Sequence, residues 1–139
     1  MTTRKRKSLR QRMAQHIERS SDSVFLPREF ARLGKMNQIL RALRQLVSQG
    51  HLVRLGYGVY GRAMRSRLSG EPMLYCRNGF LGAAREALTK LEVSWEPSTA
   101  ERAYNEGRTT QFPVNPVVRV KGRFSRRLRD GKFELQIER

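Results

Sequence analysis

Three polar side chains recur at helical intervals in the first half of the chain: Gln38, Arg41 and Gln45. Spacings of three and four residues bring them to one face of a helix, with Asn37 at its leading end. Arginine can donate two hydrogen bonds to guanine, and Gln or Asn can pair with adenine. We therefore expect these four side chains to read base edges in the major groove of double-stranded DNA.

The helix that carries them is predicted over residues 37–49. Asn37 is its expected N-cap and Gly50 its end. Apolar residues occupy the opposite face at helical spacing, which is typical of a helix packed on a core: Ile39, Leu40, Leu43, Leu46 and Val47. The face that points away from them is then left for a ligand.

Two helices are predicted before this one. The first covers residues 9–19, where Leu9, Met13 and Ile17 form an apolar stripe. The second is the PREFARL segment, residues 27–33, which begins at Pro27 and closes at Gly34.

A hairpin is predicted after the third helix. Residues 51–55 and 59–62 read as strands, joined by a tight turn at Gly56-Tyr57-Gly58. Three helices followed by a glycine-tipped hairpin are the order of a winged helix-turn-helix, with residues 52–62 as the wing. The predicted fold class is α+β. Its divisions are a disordered basic arm (1–8), the winged helix-turn-helix (9–63) and a small mixed helix-and-strand region (64–139).

The charge distribution favours a polyanionic partner. The 139 residues carry a net charge of +17, and the stretch from Phe30 to Gly70 contains eight Lys or Arg and no acid. We expect contacts to the DNA backbone from the helix, from the hairpin and from the second half: Lys35, Arg44, Ser48, Arg54, Tyr57, Arg62, Arg126, Arg127 and Arg129. Alternatively, the Tyr57 side chain packs beneath the hairpin and does not contact DNA. The N-terminal arm adds Arg4, Lys5, Arg6 and Lys7.

The second half is predicted to contain helices over 79–91 and 99–106 and strands over 117–120 and 133–137. Ser98 and Glu101 have the spacing of a capping box. Tyr104 and Phe112 are expected in the core. The apolar face of the helix from Phe80 to Leu91 favours a homodimer contact, whereas the arginines at 126, 127 and 129 favour a clamp on DNA, and both remain open.

Nothing in the sequence favours an enzyme, a cofactor or a metal site. His16 and His51 have no evident carboxylate or cysteine partner, and no phosphate-binding loop or nucleophile elbow occurs. Cys76, next to Arg77, is expected to be a buried, inert thiol. With a single cysteine, no signal peptide and no apolar stretch long enough to cross a membrane, we expect a cytoplasmic protein without a membrane partner.

The run VFLPREFARLGKMNQILRALRQLVSQGHLVRLGYGVYGR (24–62) resembles the N-terminal winged helix of AbiEi-type antitoxins and their short relatives. The shared positions are Leu33-Gly34, Leu43, Leu46, Gly50, Leu52, Val53, Gly56, Gly58 and Tyr60. The segment 107–113 is also similar to the family's Gly-Leu-Thr-Thr-Gln-Val-Pro, with Arg108 in place of Leu.

This resemblance implies a bacterial protein, encoded on a plasmid or other mobile element in some cases, that represses its own operon. It also implies a cognate toxin that acts without direct contact. Two other interpretations fit the charge: a non-specific DNA-packaging protein and an RNA-binding protein. RNA recognition usually exposes aromatic platforms, and Tyr57 is the one candidate in the first half.

Overall fold

A computed structural model describes residues 6–139, so the predicted arm contacts Arg4 and Lys5 lie outside the described residues. This part of the chain is α+β, with four α-helices and several small sheets. It forms two compact units. The first comprises the described residues up to Arg54 together with Gly58–Tyr75, and the second comprises Leu55–Tyr57 and Cys76–Arg139. Between residues 6 and 139, no helix has the length and apolar character needed to cross a bilayer.

Helices and strands are interspersed along the chain. The first part contains α1 (Leu9–Arg19), β1 (Val24–Phe25), a 3-10 helix (Pro27–Phe30), α2 (Met36–Ser48), β2 (Leu52–Gly56), β3 (Val59–Arg65) and β4 (Pro72–Leu74). The second part contains α3 (Gly79–Lys90), β5 (Trp95–Pro97), α4 (Thr99–Asn105), β6 (Val117–Val120), β7 (Arg129–Asp130), β8 (Phe133–Glu134) and β9 (Gln136–Glu138).

The core of the first unit joins α1, the 3-10 helix, α2 and the sheet. Its buried residues form one cluster: Met13, Ile17, Phe25, Phe30, Ile39, Ala42, Leu43, Leu46, Leu52 and Tyr60. The apolar stripes predicted for the first and third helices supply most of these residues, because each helix turns its stripe inward.

The helix boundaries differ slightly from the predicted ones. α2 begins one residue earlier than expected, and its N-cap is Lys35 rather than Asn37. The Asn37 side chain accepts from the amide of the next residue, Gln38, at 2.9 Å. An N-cap side chain would instead accept from an amide two or three residues further along the helix. The predicted PREFARL helix is a 3-10 turn followed by irregular backbone, because its amides bond three residues back, Ala31 to Arg28 and Leu33 to Phe30.

The sheet of the first unit has β3 between β1 and β2, and β4 extends it along the far end of β3. Val24 pairs with Gly61 across the β1–β3 ladder, and Met64 pairs with Met73 across the β3–β4 ladder. The second strand of the predicted hairpin therefore continues past Arg62 to Arg65. The resulting β3–β4 hairpin was not expected from the sequence.

The second unit contains a three-stranded sheet in the order β5-β6-β9 and a separate β7–β8 pair. The predicted strand over 133–137 is divided, because Phe133 pairs with Asp130 whereas Gln136 pairs with Val117. The chain passes from one sheet to the other at Leu135, which is buried. A strict alternation of residues cannot reveal such a change of partner.

An ion pair links α3 to the start of α4. Ser98 caps α4 as predicted by accepting from the Glu101 amide at 3.2 Å. The Glu101 carboxylate, however, bonds the guanidinium of Arg85. That guanidinium also lies over the ring of Trp95, 4.8 Å from its centroid. The side chain expected to complete a capping box is thus part of the packing of the second unit.

Candidate nucleic-acid interface

The four residues predicted to read bases share the outward side of α2. Asn37, Gln38, Arg41 and Gln45 are all exposed, and we call them the α2 polar face. Every residue of the helix that is fully buried lies on the opposite side: Ile39, Ala42, Leu43 and Leu46. An open groove of about 300 Å³ runs beside this face, and its walls include Ser8 and Arg10 at the start of α1. Two arginines, Arg10 and Arg41, line this groove together with Leu9 and Ala42, so it is basic but not wholly polar.

The end of α2 is fixed by a Schellman motif. Gly50 has φ +81°, its amide bonds the carbonyl of Val47 at 3.0 Å, and the His51 amide bonds that of Leu46 at 2.9 Å. A β-carbon on Gly50 would lie 3.2 Å from Pro72. The turn from α2 into β2 is consequently specific to glycine.

The predicted backbone contacts on and around α2 are also exposed. They are Lys35 before the helix, Arg44 and Ser48 on it, and Arg54 on β2. Arg6 and Lys7, from the predicted arm, are exposed ahead of Ser8, which caps α1 by accepting from the Gln11 amide at 3.2 Å. The described cations of this region are thus positioned at the surface, as phosphate contacts require.

Arg62 lies elsewhere than expected. Its Nη2 donates to the carbonyls of Ile17, Ser20 and Asp22 at 2.7–2.8 Å, in the last turn of α1 and just after it. Its guanidinium also stands 5.4 Å from the centroid of the Phe25 ring. Arg62 is half-buried, so it ties α1 to β3 and does not extend from the hairpin.

The turn between β2 and β3 presents Tyr57 to solvent. Its side chain is 77% exposed, which excludes packing beneath the hairpin. Gly58, at φ +67°, has open space around it and makes the turn. Gly56 has another role, because a β-carbon there would lie 2.5 Å from the Arg127 carbonyl oxygen. The backbone at Gly56 therefore packs closely against the backbone at Arg127.

A basic segment, residues 121–132, lies in the second unit near the Tyr57 turn. Arg126 donates to the Tyr57 carbonyl at 3.4 Å, and the buried Phe124 and Leu128 anchor the segment. Its exposed cations include three that were predicted and three that sequence reasoning missed: Arg126, Arg127 and Arg129, then Lys121, Arg123 and Lys132. The local charge density was the available signal for the last three. Burial raises the pKa of Asp130, the one acid of the segment.

Tyr104 and Phe112 are not core residues, contrary to expectation. They are 40% and 55% exposed, and their rings meet edge to face with centroids 5.0 Å apart. By contrast, Ala83, Ala84, Ala87 and Leu88 of α3 are buried. The apolar face that favoured a dimer contact is therefore covered in part, since Phe80, Leu81 and Leu91 are only half-buried.

Among residues 6–139, no three His, Cys, Asp or Glu side chains are arranged to hold a metal ion. His16 packs edge to face on Phe30, at 5.2 Å between ring centroids, and Cys76 is a half-buried free thiol.

We compared the chain with family models, with curated proteins and with solved structures, and none of them matches.

Proposed function

We propose that the protein binds double-stranded DNA through a winged helix-turn-helix formed by residues 9–63, and that it acts as a binder rather than an enzyme. The α2 polar face is the single observation that carries this proposal. Four side chains able to bond base edges lie together on the exposed side of a helix whose other side is buried.

The electrostatics support the same partner. The α2 polar face lies within a 41-residue stretch that has no acid, and the cations next to it in the sequence, Lys35 and Arg44, are exposed. In this arrangement α2 occupies the major groove while cations around it bond phosphates. Tyr57 and Arg54 contact the backbone from the β2–β3 turn, and the basic segment supplies additional phosphate contacts.

We further propose that the protein is a transcriptional autorepressor of the antitoxin-like kind, working in the bacterial cytoplasm. This part rests on the resemblance of residues 24–62 to the AbiEi-type winged helix. A homodimer on a palindromic operator and a co-encoded toxin that acts without direct contact belong to the same proposal.

A gel-shift titration at about 150 mM salt tests sequence-specific binding. Its probes are the DNA upstream of the protein's own coding sequence, a scrambled duplex of equal length and a structured RNA. A preference of about a thousandfold or more for the upstream duplex is the expected result. Equal and steeply salt-dependent affinity for the two duplexes contradicts a repressor and indicates a packaging protein.

RNA binding is the second candidate, and the exposed Tyr104–Phe112 pair is the observation that favours it. Unstacked bases commonly rest on aromatic rings, and these two rings are accessible in the second unit. If the RNA probe binds more tightly than either duplex and Phe112→Ala weakens that binding, RNA becomes the preferred partner.

A further inference from the structure

The β3–β4 hairpin exposes an apolar side chain at its tip. Leu68, in the loop of residues 66–71, is 100% exposed. Met64 and Met73 pair across the hairpin behind it and are 43% and 49% exposed. A single exposed Leu is unremarkable, but here three apolar side chains follow one projecting hairpin.

Hydrogen bonds hold the tip in one conformation. Ser66 accepts from the amides of Leu68 and Ser69 at 3.2 and 3.3 Å, and its carbonyl accepts from Gly70 at 2.9 Å. The loop is closed below by the Ser66 amide, which donates to the Glu71 carbonyl at 2.9 Å. Leu68 is therefore presented on an ordered turn, so little conformational entropy is lost when it inserts into a partner.

The charges around Leu68 indicate the kind of partner. Arg67 is adjacent and exposed, and Arg65 lies at the end of β3, where its Nη1 bonds the Gly70 carbonyl at 2.9 Å. Both cations belong to the acid-free stretch that ends at Gly70, and Glu71, at the other end of the loop, is the one acid of the β3–β4 hairpin. An apolar tip flanked by arginines fits the DNA minor groove, where apolar side chains separate base steps and arginines meet the negative potential.

We infer that Leu68 is a wedge that enters the minor groove and partly unstacks one base step, kinking the duplex. Arg65 and Arg67 would hold the hairpin on the flanking phosphates. The inference rests on the proposed DNA binding, and it adds a contact separate from the α2 polar face. It also assigns a role to the one hairpin that the sequence did not predict.

Ligase-catalysed cyclisation of a DNA fragment of about 150 bp tests the wedge, because a fragment near the persistence length closes rarely unless it is bent. Wild-type protein should raise circle formation about tenfold or more over DNA alone. Leu68→Ser should bring it within about twofold of DNA alone at equal occupancy, measured by gel shift. Leu68→Phe, which keeps an apolar wedge, should retain the wild-type effect.

Val114→Ser is the matched control, because Val114 is 95% exposed and lies in the second unit. It should leave cyclisation unchanged.

The wedge is overturned if the Leu68→Ser protein raises cyclisation as much as the wild-type protein does. It is also overturned if the wild-type protein binds the fragment without bending it. If the wild-type protein binds no DNA duplex at all, the proposed function is wrong as well as the wedge. If Leu68→Ser dissociates a dimer in sedimentation and leaves bending intact, the tip contacts a second copy of the chain and the wedge is wrong.

Discussion

Nη2 of Arg62 lies 2.7 Å from the carbonyl oxygen of Ser20, the residue that follows α1. The last carbonyls of a helix have no partner within the helix, and a cation beside them also meets the negative end of the helix dipole. Arg62 thus binds the end of α1 to the middle of the sheet, although its position in a basic hairpin predicts a phosphate contact.

Replacing Arg62 should lower stability and leave DNA affinity nearly unchanged. Arg62→Ala removes charge-assisted hydrogen bonds to three carbonyls and should cost about 1.5–3 kcal/mol in the free energy of unfolding. Urea unfolding followed by circular dichroism measures this cost. Arg44→Ala, an exposed arginine on α2, is the control and should lose affinity rather than stability. The reverse pattern for the two variants would restore Arg62 as a phosphate contact.

Arg41→Ala should weaken binding to the specific site by about 1–3 kcal/mol and binding to scrambled DNA very little, because its bonds to a base are sequence-dependent. Titration of both duplexes at the same salt concentration measures the difference. Arg108→Ala is the matched control, since Arg108 is exposed but already paired with Glu106 at 2.9 Å. Equal loss on the two duplexes would mean that Arg41 contacts phosphate rather than a base.

The local structure of the first unit was largely predictable from periodicity. Stripes such as Met13–Ile17 and Leu43–Leu46 identify the buried faces of α1 and α2, and Gly50 marks the end of α2. These signals are local, because a helix buries residues three and four apart in the sequence. The exposed α2 polar face followed from the same periodicity.

Features that depend on distant partners were missed. The alternation over 133–137 does not reveal that the chain changes sheets at Leu135, and the charge of Arg62 does not reveal the carbonyls that surround it. Similarly, Tyr104 and Phe112 were expected in a core but are exposed. Burial of an aromatic ring depends on which elements pack over it, and the local sequence pattern around a residue does not show that packing.

Two neighbouring glycines should respond differently to alanine. Gly58→Ala meets no atom but adopts a left-handed conformation, which should cost about 1–2 kcal/mol. Gly56→Ala places a β-carbon 2.5 Å from the backbone carbonyl oxygen of Arg127, so the chain must shift, and the loss should be larger. Thermal unfolding of the two variants makes the comparison, and an equal or smaller loss for Gly56→Ala would contradict the close approach.

Glu138 should make stability depend on pH in the acidic range. Hydrogen bonds from the hydroxyl and the amide of Thr99 lower the pKa of Glu138 from its ordinary value of 4.5. A lowered pKa means that the folded state favours the carboxylate, so the stabilisation is complete above pH 4.5 and is lost as the pH falls through the folded-state pKa. Glu138→Gln should therefore unfold more easily than wild type at pH 7, and the gap should close toward pH 3. If the difference in stability between Glu138→Gln and wild type is the same at pH 7 and pH 3, the carboxylate charge does not cause it.

The basic segment should govern the salt dependence of DNA binding. Each phosphate contact contributes about 0.9 to the slope of log affinity against log salt, so replacing Arg126, Arg127 and Arg129 together with Gln should reduce that slope by up to about 2.7. Affinity should fall by a similar factor for the specific and scrambled duplexes, because phosphates carry no sequence. Gel-shift titrations at several salt concentrations measure the slope.

A double replacement of Arg102 and Arg108 with Gln is the control for charge loss. Both arginines pair with glutamates at 2.8 and 2.9 Å, whereas in the basic segment only Arg127 has a glutamate partner, Glu134, at 3.7 Å. The slope should change little in that variant. If the two variants change the slope equally for each charge removed, the effect reflects net charge alone, and the basic segment makes no direct contact with phosphate. If the triple variant alone lowers the slope, DNA is held by the second unit as well as by the α2 polar face.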